Sequence, residues 1–256
     1  MDISYLSKYR KPKYLVVGIP LLLVLAVLLW LLVVSLTLPD VSELAKKNPK
    51  TTALIQQRIA EAKARGIKLR IRQRWVRFKR IPKLLRQAVR VSEDASFYLH
   101  EGVDFTELKE SFKKNWDKGK IARGGSTITQ QLAKNLYLST ERSYSRKIKE
   151  YFIAKRLEKE LSKYRIFHLY LNIIELGRGV FGVQAAARHY FGKNVENLSL
   201  GEIVRIAAVI PKPLKVRADG NSRWLRWKAS WILKKLLKYG YINREQFDQT
   251  IPEFKK

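Results

Sequence analysis

A chain of 256 residues with 52 Lys+Arg against 22 Asp+Glu, a net charge of +30, has room for one medium domain plus an anchor, or for two small domains. The charge balance points to a polyanionic partner: a nucleic acid, an anionic lipid surface or a phosphorylated substrate. The absence of cysteine excludes disulfides and thiolate chemistry, and three histidines (His100, His168, His189) are too few for a histidine-rich metal site.

Lys8, Arg10, Lys11 and Lys13 stand against a lone Asp2 before Tyr14–Leu38, 25 residues without a charge. As a helix this stretch would run roughly 37 Å, enough for a bilayer core of about 30 Å. A cleaved signal peptide is the competing reading, but its apolar region is usually only about 7–15 residues and ends at a small-x-small site. A retained anchor fits better. The cations ahead of the span put the N-terminus in the cytoplasm and the bulk of the chain on the other side.

Pro39-Asp40 stops the span, and residues 40–52 read as a polar linker. Ala53 to Ala64 reads as a helix ended by Arg65-Gly66. Ile67 to Arg72 alternates apolar and basic residues, the pattern of a short strand, which Trp75 to Phe78 would continue or turn into a hairpin. Ile81-Pro82 opens a helix with Leu84, Leu85, Ala88, Val89 and Val91 as its buried side. Beyond position 80 the periodicity is helical, and no Pro/Gly/Ser linker splits the region. The expected division is a cytoplasmic tail (1–13), a transmembrane anchor (14–38), a linker and juxtamembrane helix (39–66) and one domain (67–256).

Glu93 and Asp94 end that helix. Neighbours cannot both face inward from a helix, so one suits a buried reactive carboxylate and the other a structural acceptor. Apolar Phe97 nearby would raise the reactive one's proton affinity, as a general base needs. Taken alone, such a pair is usually surface. Further on, Gly124-Gly125 breaks the chain. Thr127 and Gln130 fit a capping box, and a helix start opened by glycines is a ready anion site. Lys134 follows two turns down. Arg142, Arg146 and Glu150 are four apart and share a helical face. One carboxylate among these cations suits a phosphate-bearing substrate with acid–base chemistry, and the same spacing fits a solvated basic helix. Trp224, Trp227 and Trp231, at helical spacing among cations, fit an anionic membrane surface, but such a stripe is more often core.

The order of residues is more specific than their spacing. Gly124 to Asn135 resembles the second motif of the peptidoglycan glycosyltransferases, in particular the monofunctional, single-spanning biosynthetic transglycosylases of glycosyltransferase family 51. Glu93 to Asp104 resembles the first motif, Arg146 to Glu158 the third, Tyr170 to Gly192 the fourth and Leu198 to Pro213 the fifth, so the likeness runs over about residues 73–240. There are two departures: His168 stands where the family usually has an acid, and Arg217-Ala218-Asp219 follows the fifth motif where the family often has another Ser-Pro. The resemblance implies a mainly α, lysozyme-like helical domain behind the transmembrane helix, with a short β element near 67–78.

It also implies a hexosyltransferase that polymerises lipid II with inversion, transferring an undecaprenyl-diphosphate-linked strand to the 4-hydroxyl of the next lipid II. Glu93 would be the general base and Glu150 the second acidic catalytic residue. Lys134, Arg142 and Arg146 would surround the diphosphate, with Ser126, Thr127, Gln130, Gln131 and Asn135 toward substrate. Asp94, Phe97, His100 and Arg178 would support, His100 with Asp104 holding the loop. No cofactor is implied as a requirement, and a divalent cation, Mg or Mn, at the diphosphate is an option in the family. The implied partners are lipid II, the growing strand, anionic lipid and other cell-wall synthesis proteins, with no nucleic acid. The implied location is the inner membrane, the catalytic domain outside. No penicillin-binding domain follows, so no transpeptidase activity is expected. Two other readings stay open at this point: a lysozyme-like lytic enzyme, and a basic membrane-anchored nucleic-acid-binding or scaffold protein.

Overall fold

A computed structural model describes residues 13–117, 125–141 and 143–255. The cations at positions 8–11, Gly124 and Arg142 lie outside the described residues. The chain falls into two compact units, Met1–Pro39 and Asp40–Lys256.

The first unit is one helix, α1 (Lys13–Leu36). Its Gly18–Leu36 stretch has a mean hydropathy of 3.0 and is long and apolar enough to cross a membrane. Leu21, Leu22, Leu23 and Leu25 are all exposed. A helix apolar all round has no face suited to water, which is the pattern of a span.

The second unit is mainly helical: α2 (Ala53–Ala64), α3 (Lys83–Glu93), α4 (Phe105–Asp117), α5 (Ile128–Tyr137), α6 (Tyr144–Glu160), α7 (Lys163–Ile173), α8 (Val183–Phe191), α9 (Leu200–Val209), α10 (Arg223–Lys238) and α11 (Arg244–Thr250). Hydroxyl and amide side chains start most of them. Thr52, Ser143, Ser162, Ser199, Ser222 and Asn243 each accept a bond from a first-turn N–H, satisfying donors that would otherwise be orphaned. The core centres on α7, whose residues from Ile166 to Ile173 are buried at every position except His168. α5 packs against α2, α6 and α7, while α3 packs against α9 and α10. That arrangement carries the end of α3 and one face of α5 to a common place.

β1 (Arg72–Gln73), β2 (Glu175–Gly177) and β3 (Val180–Phe181) form a small sheet in the order β1-β3-β2, with β1 parallel to β3. The strand expected over 67–72 is therefore mostly a correction. Only Arg72 and Gln73 find a partner, and an alternating stretch with no neighbour to bond has no reason to be a strand. Ile71 still packs on Leu54, Ile55 and Phe181.

Gly182 has φ 80, and a Cβ there would lie 2.4 Å from the carbonyl oxygen of Asn172. Both the left-handed backbone and the close approach demand glycine. Gly182→Ala is expected to lower the melting temperature by about 4–8 °C, equivalent to about 2 kcal/mol at this size. A thermal scan showing no change would contradict this.

His168, one departure from the family pattern, belongs to the scaffold. Its Nε2–H donates to the carbonyl of Val76 at 2.9 Å, and its Nδ1 accepts from Arg165 at 3.2 Å. Asn172 grips the same residue, accepting from the Val76 N–H at 2.8 Å and donating to its carbonyl at 3.2 Å. Burial holds the imidazole's proton affinity below the ordinary 6.5, helped by Arg165 and opposed by the bond to Val76. The unfolded chain thus binds the extra proton first. The contribution to stability is full above pH 6.5 and is lost as pH falls through the folded value. His189 has the same sign. His168→Gln keeps a donor but cannot titrate, so its melting temperature should fall less steeply than wild type between about pH 7 and pH 5. Parallel curves would contradict the assignment.

The tryptophan stripe is a second correction. The core face of α10 is Leu225, Ala229, Ile232, Leu233 and Leu236. Trp227 is 60% exposed, and cations cover the other rings: Lys212 lies 4.5 Å over Trp224, Lys228 4.3 Å over Trp231. Helical spacing alone does not say which stripe faces inward, and the aliphatic one does.

Candidate active site

Glu93 is the last residue of α3, and Asp94 is the first beyond it. The helix end separates their side chains. Asp94 is buried, accepting from the Ile128 N–H at 2.9 Å and pairing with His100 Nε2 at 3.0 Å. The anion seated at the start of α5 is therefore the protein's own, since the Asp94 carboxylate uses the N–H group and positive dipole end that an external anion would need. This corrects the expectation of a free anion site there.

The expected capping box is present, and it has a consequence. Thr127 Oγ1 accepts from the Gln130 N–H at 3.1 Å and donates to the Gly102 carbonyl at 2.6 Å, while Gln130 Oε1 accepts from the Thr127 N–H at 3.1 Å. Both residues, expected toward substrate, serve the scaffold instead. Phe97 is fully buried, with its ring 5.4 Å from Phe167. Asp104 accepts from Ser96 and from the Glu107 N–H. Asn135 is buried on α5. Arg178 is exposed at the β2–β3 turn and makes no hydrogen bond or ion pair with the site among the described residues.

Glu93 is held on both oxygens. Ser92 donates to Oε1 at 2.9 Å, and Gln131 Nε2 to Oε2 at 3.2 Å. The buried Tyr170 hydroxyl donates to Gln131 Oε1 at 2.9 Å. An ionised carboxylate only accepts, so the N–H end of the amide faces Glu93 and the oxygen end takes the Tyr170 hydroxyl. Burial pushes the Glu93 carboxyl above its ordinary 4.5. Lys228 and the bonds from Gln131 and Ser92 pull it partly back, and Asp94 adds to the rise. The result is a half-buried carboxylate, oriented and more basic than usual.

One turn past Gln131 on α5 sits Lys134. Burial lowers its proton affinity, Arg146 and Lys147 lower it further, and Glu150 and Glu93 sustain its charge. Glu150, on the facing α6, is 2% exposed. It takes Arg146 Nη1 at 2.6 Å on one oxygen and the Lys147 ammonium on the other. Lys147 also donates to Ser126 Oγ at 2.9 Å, and Arg146 Nε to the Glu141 carbonyl at 2.6 Å. With both oxygens so engaged, Glu150 serves as the counter-ion that holds two cations in place. Three described cations against one carboxylate leave the cluster short of negative charge, and a bound anion would supply it. No group of three His, Asp or Glu residues among the described ones could hold a metal.

Two contributors escaped the sequence reading. Lys147 is three residues before Glu150 and faces it as well as Arg146 does, so its signal was present at i,i+3. Lys228 reaches Glu93 from α10, with Nζ 3.5 Å from the Ser92 carbonyl. In the sequence it is one of several cations around the tryptophan stripe, with nothing to tie it to Glu93.

The family described as "Transglycosylase" matches residues 60–237. The "Biosynthetic peptidoglycan transglycosylase" of Nitrosospira multiformis is 42% identical over 74% of this chain and 82% of its own. That of Herminiimonas arsenicoxydans is 37% identical over 89% of this chain and 96% of its own. That of Nitrosomonas eutropha is 41% identical over 85% and 88%. Matched over most of its length by the family and by these relatives, the chain belongs to the transglycosylase family.

Proposed function

We propose that the protein is a peptidoglycan glycosyltransferase that builds glycan strands from lipid II, with Glu93 as base and the Lys134, Arg146 and Lys147 cluster as the electrostatic clamp on the leaving diphosphate. The observation that carries this reading is the placement of the two halves on one helix. Gln131 of α5 holds the basic carboxylate, and Lys134, one turn on, belongs to the cation cluster around Glu150.

The Glu93 carboxylate takes the proton of the 4-hydroxyl on the incoming lipid II sugar. The freed oxygen attacks the anomeric carbon of the donor strand from the face opposite the diphosphate. The carbon–oxygen bond to phosphate breaks, the electron pair leaves with the lipid diphosphate, and the configuration inverts. Negative charge grows on that diphosphate, where preorganised cations stabilise it at no further cost of ordering. Glu150 keeps those cations in position. Arg142, from its place in the sequence, is assigned to the same clamp. A membrane anchor suits the task, since donor and acceptor both carry lipid tails. The cations before the span put the N-terminus in the cytoplasm and the catalytic unit on the outer side of the inner membrane.

The full chain in detergent, given lipid II alone, should yield a ladder of polymer on a gel, and given finished cell wall should release no fragments. Release of fragments without polymer would overturn the reading in favour of a lytic enzyme.

A further inference from the structure

Away from the catalytic residues, α3 lines a cavity of about 160 Å³ with Lys83, Arg86, Gln87 and Arg90, several times the space one water needs. Tyr98 and Phe167 complete its walls. Three of these six side chains are cations and none is an acid. They recur at 3 and 4 spacing along one helix face, where like charges repel.

Among the described residues none of the three forms an ion pair with an acid. Arg90 donates to Gln87 Oε1 at 2.9 and 3.1 Å, to the Ala95 carbonyl at 2.6 Å and to the Tyr241 hydroxyl. Every one of those acceptors is neutral. Arg86 lies with its guanidinium carbon 4.6 Å over the Phe78 ring, and its Nε is buried with no hydrogen-bond partner among the described residues. A buried, unsatisfied, charged donor is costly and rare in a native structure. Arg90 occupies the oxygen of Gln87, which leaves that amide's NH2 as a further donor. Tyr98 adds a hydroxyl whose proton is held more firmly than usual by burial. The cavity is thus lined by two guanidinium groups, an ammonium, an amide and a phenol, all able to donate.

We propose that this cavity is a second anion site, built for a phosphate group and separate from the cations around Glu150. Guanidinium forks bind phosphate oxygens in pairs, and three cations around one cavity suit a group that can carry more than one negative charge. The surroundings favour a phosphate carried on a lipid. Tyr98 is 53% exposed and Leu99, next to it in the chain, 88%. The bonds from Ser96 and the Glu107 N–H to Asp104 close the loop on which Leu99 stands. Exposed apolar side chains next to a cationic pocket suit a headgroup with its acyl chains alongside. Arg90 also ties the cavity to the Ala95 carbonyl, one residue from Asp94, so occupancy bears on the loop that follows the base.

The test compares the full chain, a Lys83→Ala/Arg86→Ala variant, an Arg86→Lys variant and Lys134→Ala. One arm measures binding of inorganic phosphate in detergent. The other measures retention of phosphatidylglycerol against phosphatidylcholine in nanodiscs by native mass spectrometry. At least a tenfold loss of phosphate-group binding is expected in the double variant and a smaller loss in Arg86→Lys, which keeps the charge and loses the fork. Lys134→Ala should keep this binding. Loss in the lipid arm alone assigns the phosphate to a headgroup, and loss in the inorganic arm assigns it to a soluble source. Equal binding by wild type and both cavity variants, or a loss that follows Lys134→Ala instead, overturns the proposal. Strand synthesis from lipid II in detergent is read in parallel, so that failure of the cavity is distinguishable from failure of the catalytic assignment.

Discussion

Glu93→Gln should cut strand synthesis by about 10²–10⁴-fold, the range a positioned general base supplies, and leave the fold intact. The substitution keeps the size of the side chain and an oxygen to accept from Gln131, while its NH2 turns to the Ser92 hydroxyl, which can accept as well as donate. It removes the lone pair that takes the proton. Stability gives a second readout. Burial raises the proton affinity of Glu93, so its ionised form is disfavoured in the folded protein. A neutral amide escapes that cost, and the variant should melt at or above the wild-type temperature. A variant that turns over lipid II like wild type would remove Glu93 as base. One that unfolds would give the residue a structural part instead.

Lys134→Ala should lower turnover by about 10²-fold or more, in the range of losing one preorganised donor to a developing negative charge. The loss should fall mainly on kcat, because the charge the lysine meets is greatest as the diphosphate departs. Without substrate, Lys134 is a half-buried ammonium, disfavoured by burial and by Arg146 and Lys147. Its removal should therefore not lower the melting temperature by the amount expected of a core residue. Lys134→Arg, which restores charge with a different shape, should recover part of the rate. Unchanged kinetics in Lys134→Ala would take the residue out of the site.

Local signals made much of this legible in the sequence. Helix α2 begins and ends where its cap, Thr52, and the Arg65-Gly66 break indicate. The division of labour between Glu93 and Asp94 follows from a helix that stops between them. What failed needed information from distant parts of the chain. The alternation over 67–72 describes which residues could share a face, but a strand needs a partner, and only Arg72 and Gln73 meet β3. The glycine-opened start of α5 does attract an anion, but it is Asp94, 34 residues earlier. Gln130 and Gln131 are alike in sequence, and one turn of geometry sends the first to a cap and the second to Glu93. Lys228 acts across 135 residues of chain, and no periodicity reports that. His168, one departure from the family pattern, bonds to Val76 and Arg165 on the scaffold.

The most direct test is the pH dependence of kcat/KM for strand synthesis in wild type and in Lys228→Met. A half-buried Glu93 acting as base predicts an acid limb above the ordinary carboxylate value of 4.5, with rate rising as the group ionises. Removing the neighbouring ammonium takes away part of what favours the ionised form, so the limb should move to higher pH in the variant while the plateau rate stays measurable. A limb at the same pH in both proteins, or none above 4.5, would contradict the claim that this carboxylate, tuned by burial and by Lys228, takes the proton.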